Sequence, residues 1–475
     1  MTTAPPTVVW FRDDLRLADN PALAAAARSG PIVPLYILDE AAPPRPLGGA
    51  SKWWLDGSLR SLARDLAARG APLILRRGPA EVTLRTVVDE SGAKGVYWNR
   101  LYDAGRTARD AGLKASLRER GLDVRSFNAA LLNEPWTVKT GAGGPYRVFT
   151  PYWRAARALA DVAAPGPTLG ELSGSPGALG SDSLDDWRLR PRDPDWSTGF
   201  AEWRPGETGA WARLEAFLAG PAQDYVGARN QPGKPATSKL SPHLRFGEIG
   251  PRQIWAACAA AKARGADASG IDGFLRELGW REFNHHLLFH FPDMERDGFN
   301  PRFSKFPWLD DPVGAAAWRR GRTGYPIVDA GLRELWATGW MHNRVRMIAA
   351  SFLVKDLLVD WRLGEAWFWD TLLDADLANN VAGWQWVAGC GADAAPYFRV
   401  FNPVLQGEKF DPEGDYVRRW VPELARLPGS CIHRPWTLDR RVLAASGVRL
   451  GVTYPHPTVD HATARDRALA AYERL

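Results

Sequence analysis

Thr7 to Leu38 reads TVVWFRDDLRLADNPALAAAARSGPIVPLYIL, two short apolar runs on either side of an alanine-rich stretch. Apolar runs this short have the pattern of buried strands, and the segment between them has the composition of a helix. The alternation continues through APLILRR, GVYWN and DVRSFNAALL to about Leu132. Strand, helix, strand in this order builds a parallel sheet, because parallel neighbours need a crossover and a helix supplies it. Between Ser51 and Gly70 one crossover is explicit: Leu55, Leu59, Leu62 and Leu66 share one face of a helix that a glycine ends. Residues 1–133 are therefore expected to form an α/β lobe with a Rossmann-like parallel sheet. No GxGxxG follows the first strand, so a dinucleotide held in the usual Rossmann manner is not expected there.

Beyond that lobe the texture changes. From Ala164 to Gly206, Pro, Gly, Ser and Asp dominate (APGPTLGELSGSPGALGSDS), the composition of a long surface connection. Residues 134–206 are expected as an interdomain linker. After it the strand rhythm is gone, and helical patterns such as Gly273 to Phe291 and Gly339 to Trp361 predict an all-α lobe over 207–475. A chain of 475 residues has room for two or three domains. Its longest apolar stretches are cut by charges such as Lys355 and Asp356, against a membrane span, and the start MTTAPPTVVWF lacks the regions of a secretory signal. A cytoplasmic protein is expected. Cys258, Cys390 and Cys431 lie far apart with no CxxC spacing, against a disulfide framework or a cysteine zinc site. A formal charge of +6 permits a polyanionic partner without requiring one. The 23 tryptophans say more, because an indole needs a large apolar surface and a partner for its N–H.

Three helical segments concentrate chemistry-bearing residues. In DGFLRELGWREFNHHLLFHFP, apolar residues (Phe274, Leu275, Leu278, Phe283, Leu287, Phe289) occur all round, so this helix is expected to be buried on most sides. Glu277, Trp280, Arg281 and Asn284 nevertheless fall at i, i+3, i+4 and i+7, and charge on a buried helix must face a partner or a cavity. An internal Glu277 to Arg281 ion pair would produce the same stripe. His286 and His290 are four apart without HExxH or a third ligand, so packing is expected of them and no metal site is predicted. In GWMHNRVRMIAASFLVKDLLVDW, Trp340, Asn343 and Met347 share a face that Arg344 and Arg346 flank. In NNVAGWQWVAG, Asn379 to Gly389, Trp384 and Trp386 stand about 200° apart round a helix and cannot serve one patch of core.

Together with WFRDDLRLADNPAL, TSKLSPHLRFGEIGPRQIW, TGYPIVDAGLRELW, DADLANN and DAAPYFRVFNPVLQGEKFD, these segments resemble the DNA photolyase and cryptochrome family from Val8 to past Asp415. The resemblance implies an α/β antenna lobe and a helical lobe that binds DNA and holds FAD in a bent shape. It implies a monomer acting on DNA that contains pyrimidine dimers. In the family's pattern Glu277, Trp280, Asn343, Met347 and Trp386 form the pocket for a flipped-out lesion. Trp384 faces the flavin and begins an electron path through Trp361 and Trp308. Tyr225, Thr237, Ser238, Leu240 and Ser241 resemble the diphosphate contacts, and Trp340 belongs to the same cofactor site. Arg346 and Asp374 resemble the ion pair across the flavin, Asp376 the acceptor for a ring N–H, and Asn380 the residue near N5, an amide with no easily lost proton. Arg229, Arg281, Arg344 and Arg399 resemble the DNA phosphate contacts. The implied activity is light-driven repair of cyclobutane pyrimidine dimers, a carbon–carbon lyase reaction in which excited reduced FAD lends an electron to the lesion.

Two alternatives stay open: a blue-light signalling cryptochrome, and a photolyase for (6-4) products, which would show paired histidines where this chain has Asn343 and Met347. The antenna departs from the pattern, since DAGRTARD puts Gly105 and Arg106 where folate-binding bacterial relatives carry an Asn-Glu pair. GGASKWWL resembles instead the branch near plant-type cryptochromes, in which a Trp of the pair stacks on methenyltetrahydrofolate. Trp54 is the expected contact and Trp53 the second; a deazaflavin or an empty site stays open.

Overall fold

In a computed structural model, which describes residues 4–41, 45–159, 164–175, 177, 179–393 and 398–475, five strands pair in parallel. They are β1 (Thr7–Phe11), β2 (Ile32–Leu38), β3 (Ile74–Arg77), β4 (Gly95–Asn99) and β5 (Asp123–Phe127), in the order β3-β2-β1-β4-β5. β1 pairs with β2 from Thr7 opposite Ile32 and with β4 from Thr7 opposite Gly95, so the order reverses beside β1. Crossover helices Pro21–Ser29, Gly49–Ala67, Ala80–Ser91 and Ala104–Glu119 join the strands. Their starts are written locally: Asn20 accepts the Leu23 N–H with Pro21 at the first helical position, and Asp103 accepts the Arg106 N–H. Alternate strand residues (Val8, Trp10, Val33, Leu35, Val96, Trp98) share a core with Leu84, Val87, Leu113 and Leu117 of two crossovers. Each fully buried aliphatic side chain there contributes about 1.5–3 kcal/mol.

The chain forms two compact units. One comprises Met1–Ser197, Ala201–Gln223 and Ser238–Pro292; the other comprises Thr198–Phe200, Asp224–Thr237 and Asp293–Leu475. The first thus carries, besides the sheet, helices Pro251–Ala263 and Ala268–His290. The second is mostly helical. Residues 134–206 are not connection throughout: Phe149–Leu159 is a helix burying Phe149, Tyr152, Trp153 and Ala156, a one-sided i, i+3, i+4, i+7 pattern. The described residues from 164 to 206 do run as irregular chain with short turns at Leu184–Trp187 and Thr198–Glu202.

Gly339 to Trp361 is not one helix, contrary to expectation. Gly339, at φ 69°, ends helix Pro326–Thr338. His342 then caps Asn343–Ser351, a π-helical turn follows at Phe352–Asp356, and a new helix starts at Trp361. Leu358, at φ 54°, marks the break. Trp340 therefore precedes the helix that carries Asn343 and Met347 instead of sharing its face. Among the described residues no helix is long and apolar enough to cross a membrane.

Candidate active site

In the first unit, helix Ala268–His290 carries Glu277, Trp280, Arg281 and Asn284, and all four are half-buried on a helix that buries Phe274, Leu275, Leu278, Phe283 and Leu287. Arg281 turns inward. Its side chain is 14% exposed, its Nη1 donates to the Ala130 carbonyl at 2.7 Å, and it lies 3.6 Å from Glu282 Oε1. That bond engages one N–H of a guanidinium that has several, and the phosphate contact expected of Arg281 stays an expectation. Glu282, one position on, went unnoticed in the sequence; its Oε2 accepts the N–H groups of Leu132 and Asn133. Burial pushes this carboxyl up to about 7, against the pull of Arg281 and the two amides. His286 Nδ1 and His290 Nε2 both donate to the Pro135 carbonyl, and His286 Nε2 accepts the Tyr146 N–H. Burial, then the neighbouring His290, pushes His286 down to about 4, so it stays neutral.

The switch between β1 and β4, where an open α/β sheet ordinarily receives a ligand, is filled by charge pairs. Asp13 meets Arg106 at 2.7 Å and Arg245 at 2.9 Å, and Arg12 pairs with Asp110. Burial works against the Asp13 carboxylate, but Arg245 and Arg106 together hold it down to about 2. Trp54, the expected antenna contact, is wholly buried. Its Nε1 donates to Glu248 at 3.0 Å, and its ring meets His243 and Trp203 edge-on. No face of it is left for a chromophore, which corrects that expectation. Trp53 is buried too, under the Arg190 guanidinium 5.2 Å away; that arginine side chain is 48% exposed and pairs with the buried Asp56.

The diphosphate motif lies where the units exchange chain: Thr237 belongs to the second, Ser238, Leu240 and Ser241 to the first. Lys239 takes φ 51°, Leu240 N–H donates to Ser238 Oγ, and Ser241 opens the short helix Ser241–Arg245.

The second unit holds most of the expected flavin residues. Arg346 and Asp374 form a two-pronged ion pair, at 3.1 and 2.8 Å, while Arg346 Nε donates to the Met341 carbonyl. The Arg346 guanidinium lies 6.0 Å from the ring of buried Trp340. Asp376 caps helix Leu377–Ala388 through the Asn379 N–H. Asn380 directs its Nδ2 into Glu365, at 3.0 Å to the carbonyl and 2.7 Å to the carboxylate, so its amide oxygen is the end it presents as acceptor.

Trp384 and Trp386 have different surroundings, as their angular separation requires. Trp384 is 2% exposed, edge-on to Phe368 at 4.9 Å and to Trp318 at 6.1 Å. It presses on helix Trp361–Thr371 at Gly364, where a Cβ would come within 2.1 Å of the indole. Gly364 is one helical turn from Trp361, so Trp384 packs on the face that Trp361 begins. Trp386 is half-buried, and its N–H donates to the Asp393 carbonyl at 3.1 Å. Trp308 is half-buried against Phe306. The middle of DAAPYFRVF, residues 394–397, lies outside the described residues.

Among the described residues, five buried side-chain atoms of this unit have no hydrogen-bond partner (Arg319 Nε, His342 Nε2, Asp356 Oδ2, Trp384 Nε1 and His433 Nδ1), and two of them, Trp384 Nε1 and His342 Nε2, lie in the segments that carry the expected flavin residues. His342 is held neutral, pushed down to about 3 by burial and then by Arg346 and Arg344. Orphan donors and acceptors of this kind, with a paired Arg and Asp, fit a polar aromatic cofactor such as flavin. Arg229, Arg344 and Arg399 gather in the same unit. Arg344 donates to Asn230, lies 4.5 Å over the Phe410 ring, and has its pKa lowered by burial and then by the charges of Arg229 and Arg399. Tyr225 is buried with the Arg229 guanidinium 5.3 Å over its ring. Asn343 is exposed and Met347 half-buried on the helix that carries Arg344.

Residues 7–168 match the family model described as DNA photolyase, and residues 274–474 match that of the FAD binding domain of DNA photolyase. The chain belongs to the DNA photolyase and cryptochrome family. It is 52% identical to the deoxyribodipyrimidine photo-lyase of Agrobacterium fabrum, over 98% of this chain and 97% of that one. To cryptochrome-2 of Arabidopsis thaliana it is 42% identical, over 98% of this chain and 79% of the other. A solved bacterial class III photolyase from Agrobacterium tumefaciens superposes with a TM-score of 0.97 at 52% identity, covering 100% of this chain and 98% of that one.

Proposed function

We propose that the chain is a light-driven lyase that splits cyclobutane pyrimidine dimers in DNA. The observation that carries this reading is the gathering of Arg229, Arg344 and Arg399 on the unit that also holds the Arg346–Asp374 pair and the buried Trp384. Positive charges close enough to shift one of their number favour a nearby anion, and a DNA backbone provides it. Fully reduced FAD, when bound, supplies an excited electron that opens the two carbon–carbon bonds of the dimer and then returns, with no net redox change.

The protein's part is placement and electrostatics. Tyr225, Thr237, Ser238, Leu240 and Ser241 hold the diphosphate; Trp340, Arg346, Asp374, Asp376 and Asn380 orient the ring, with the Asn380 oxygen as an acceptor. Glu277 hydrogen-bonds the lesion and steadies charge that develops only during reaction. Trp280 and Trp386 each offer an apolar ring to the flipped bases, and Asn343 and Met347 are further contacts for them. Extrusion is cheapest for a damaged, poorly stacked pair, as the general physics of base flipping holds for photolyases. Trp308, Trp361 and Trp384 carry an electron inward from the surface, and the packing of Trp384 on Gly364 supports their succession. Residues 1–133 serve the antenna role and residues 207–475 the catalytic one, the protein acts as a cytoplasmic monomer, and methenyltetrahydrofolate against Trp53 is the antenna.

The test is illumination of purified protein with matched oligonucleotides carrying a cyclobutane dimer or a (6-4) product. The expected result is repair of the first alone, and only in light. A (6-4) photolyase would reverse that selectivity, and a signalling cryptochrome would repair neither.

A further inference from the structure

We propose that Phe149 is the positioning residue of Trp280: it backs one face of the indole and leaves the opposite face as the surface against which a flipped-out pyrimidine rests. The inference rests on the lesion-pocket reading above and adds a residue to it. The rings stack face to face, with centroids 3.8 Å apart and planes 9° from parallel. Phe149 is 1% exposed while Trp280 is half-buried, so the covered side of the pair is the phenyl and the open side the indole.

The pair cannot slide. Phe283 sets its edge against both rings, 5.9 Å from Phe149 and 6.0 Å from Trp280. Trp153, one turn along the same helix, lies nearly parallel to Phe149 at 6.4 Å. It also packs on Gly279, where a Cβ would fall 2.6 Å from its ring. Helix Phe149–Leu159 is thus clamped to helix Ala268–His290 at the residue before Trp280. An aliphatic side chain at 149 would fill the same space but would not set the plane of the indole, because it has no flat ring for the indole to lie against. A base stacking on the open face needs that plane already set, since any ordering left until binding is subtracted from affinity.

Binding and repair with Phe149→Leu, Phe149→Tyr and Trp280→Ala test this. Phe149→Leu is expected to weaken binding to dimer-containing oligonucleotide about three- to tenfold, the worth of an aromatic pair, with undamaged DNA changed less than about twofold. KM for repair rises by the same factor, yield at saturating DNA and flavin absorbance hold, and Phe149→Tyr restores binding. Phe149→Met serves the same arm if the leucine variant fails to fold. Equal losses on damaged and undamaged DNA, no loss at all, or no rescue by tyrosine would overturn the proposal. Preference for dimer DNA that survives Trp280→Ala would overturn the lesion-pocket reading itself, and this inference with it.

Discussion

Two groups of arginines in this molecule look alike in sequence and do opposite things. At the switch of the sheet, Arg12, Arg106 and Arg245 face Asp110, Asp13 and Asp103, and each charge is cancelled by a neighbour. In the helical unit, burial and then the charges of Arg229 and Arg399 lower the pKa of Arg344. The first arrangement closes a place where α/β sheets usually take ligands. The second is the surface proposed to meet a polyanion. Cancelled charge is structure and accumulated charge is a site, a distinction that net charge alone does not contain.

The largest effect should come from breaking the cancelled set. Arg106→Leu leaves Asp13 and Asp103 partly buried without their shared partner and is expected to cost about 3 kcal/mol in chemical denaturation, with DNA affinity unchanged. If Arg106→Leu lowered affinity and spared stability, the two groups would have to exchange roles. The same set leaves a pH signature. Asp13 has a lowered folded pKa, so its contribution is present above 3.8 and lost as pH falls toward about 2. Asp13→Asn should therefore flatten the loss of stability across that window, and an unchanged acid limb would remove Asp13 from the account.

A smaller effect tests the other side. Gly364→Ala drives a methyl into Trp384, and overpacking of this kind costs about 2 kcal/mol. It should also slow photoreduction of oxidised flavin, read as the rate of bleaching under blue light, while pre-reduced enzyme repairs normally. Equal damage to both would mean that the substitution disturbs the whole unit and not the contact between Trp384 and the Trp361 helix.

The sheet was legible because buried strands and their crossovers write themselves into short local runs. Helix Phe149–Leu159 was missed inside the stretch read as linker: its pattern of Phe149, Tyr152, Trp153 and Ala156 is diluted by the APGP-rich chain that follows. The break within Gly339 to Trp361 was not, since a π turn at Phe352–Asp356 and a left-handed Leu358 answer to packing and not to any residue pattern. In the site, the stripe from Glu277 to Asn284 was readable as a helix face. The inward turn of Arg281 depends on the Ala130 carbonyl, and the burial of Glu282 on the Leu132 and Asn133 amides, all far earlier in the chain. Which of Trp53 and Trp54 is closed depends likewise on Glu248 and His243, far along the chain.

The most direct measurement is the salt dependence of affinity for a dimer-containing duplex, comparing wild type, Arg106→Leu and the combined Arg229→Gln, Arg344→Gln, Arg399→Gln variant. Loss of three phosphate contacts should reduce the slope of log affinity against log salt by about 2.7, while Arg106→Leu keeps the wild-type slope. An unaltered slope in the triple variant would contradict the assignment of the DNA-binding surface to the helical unit's arginines.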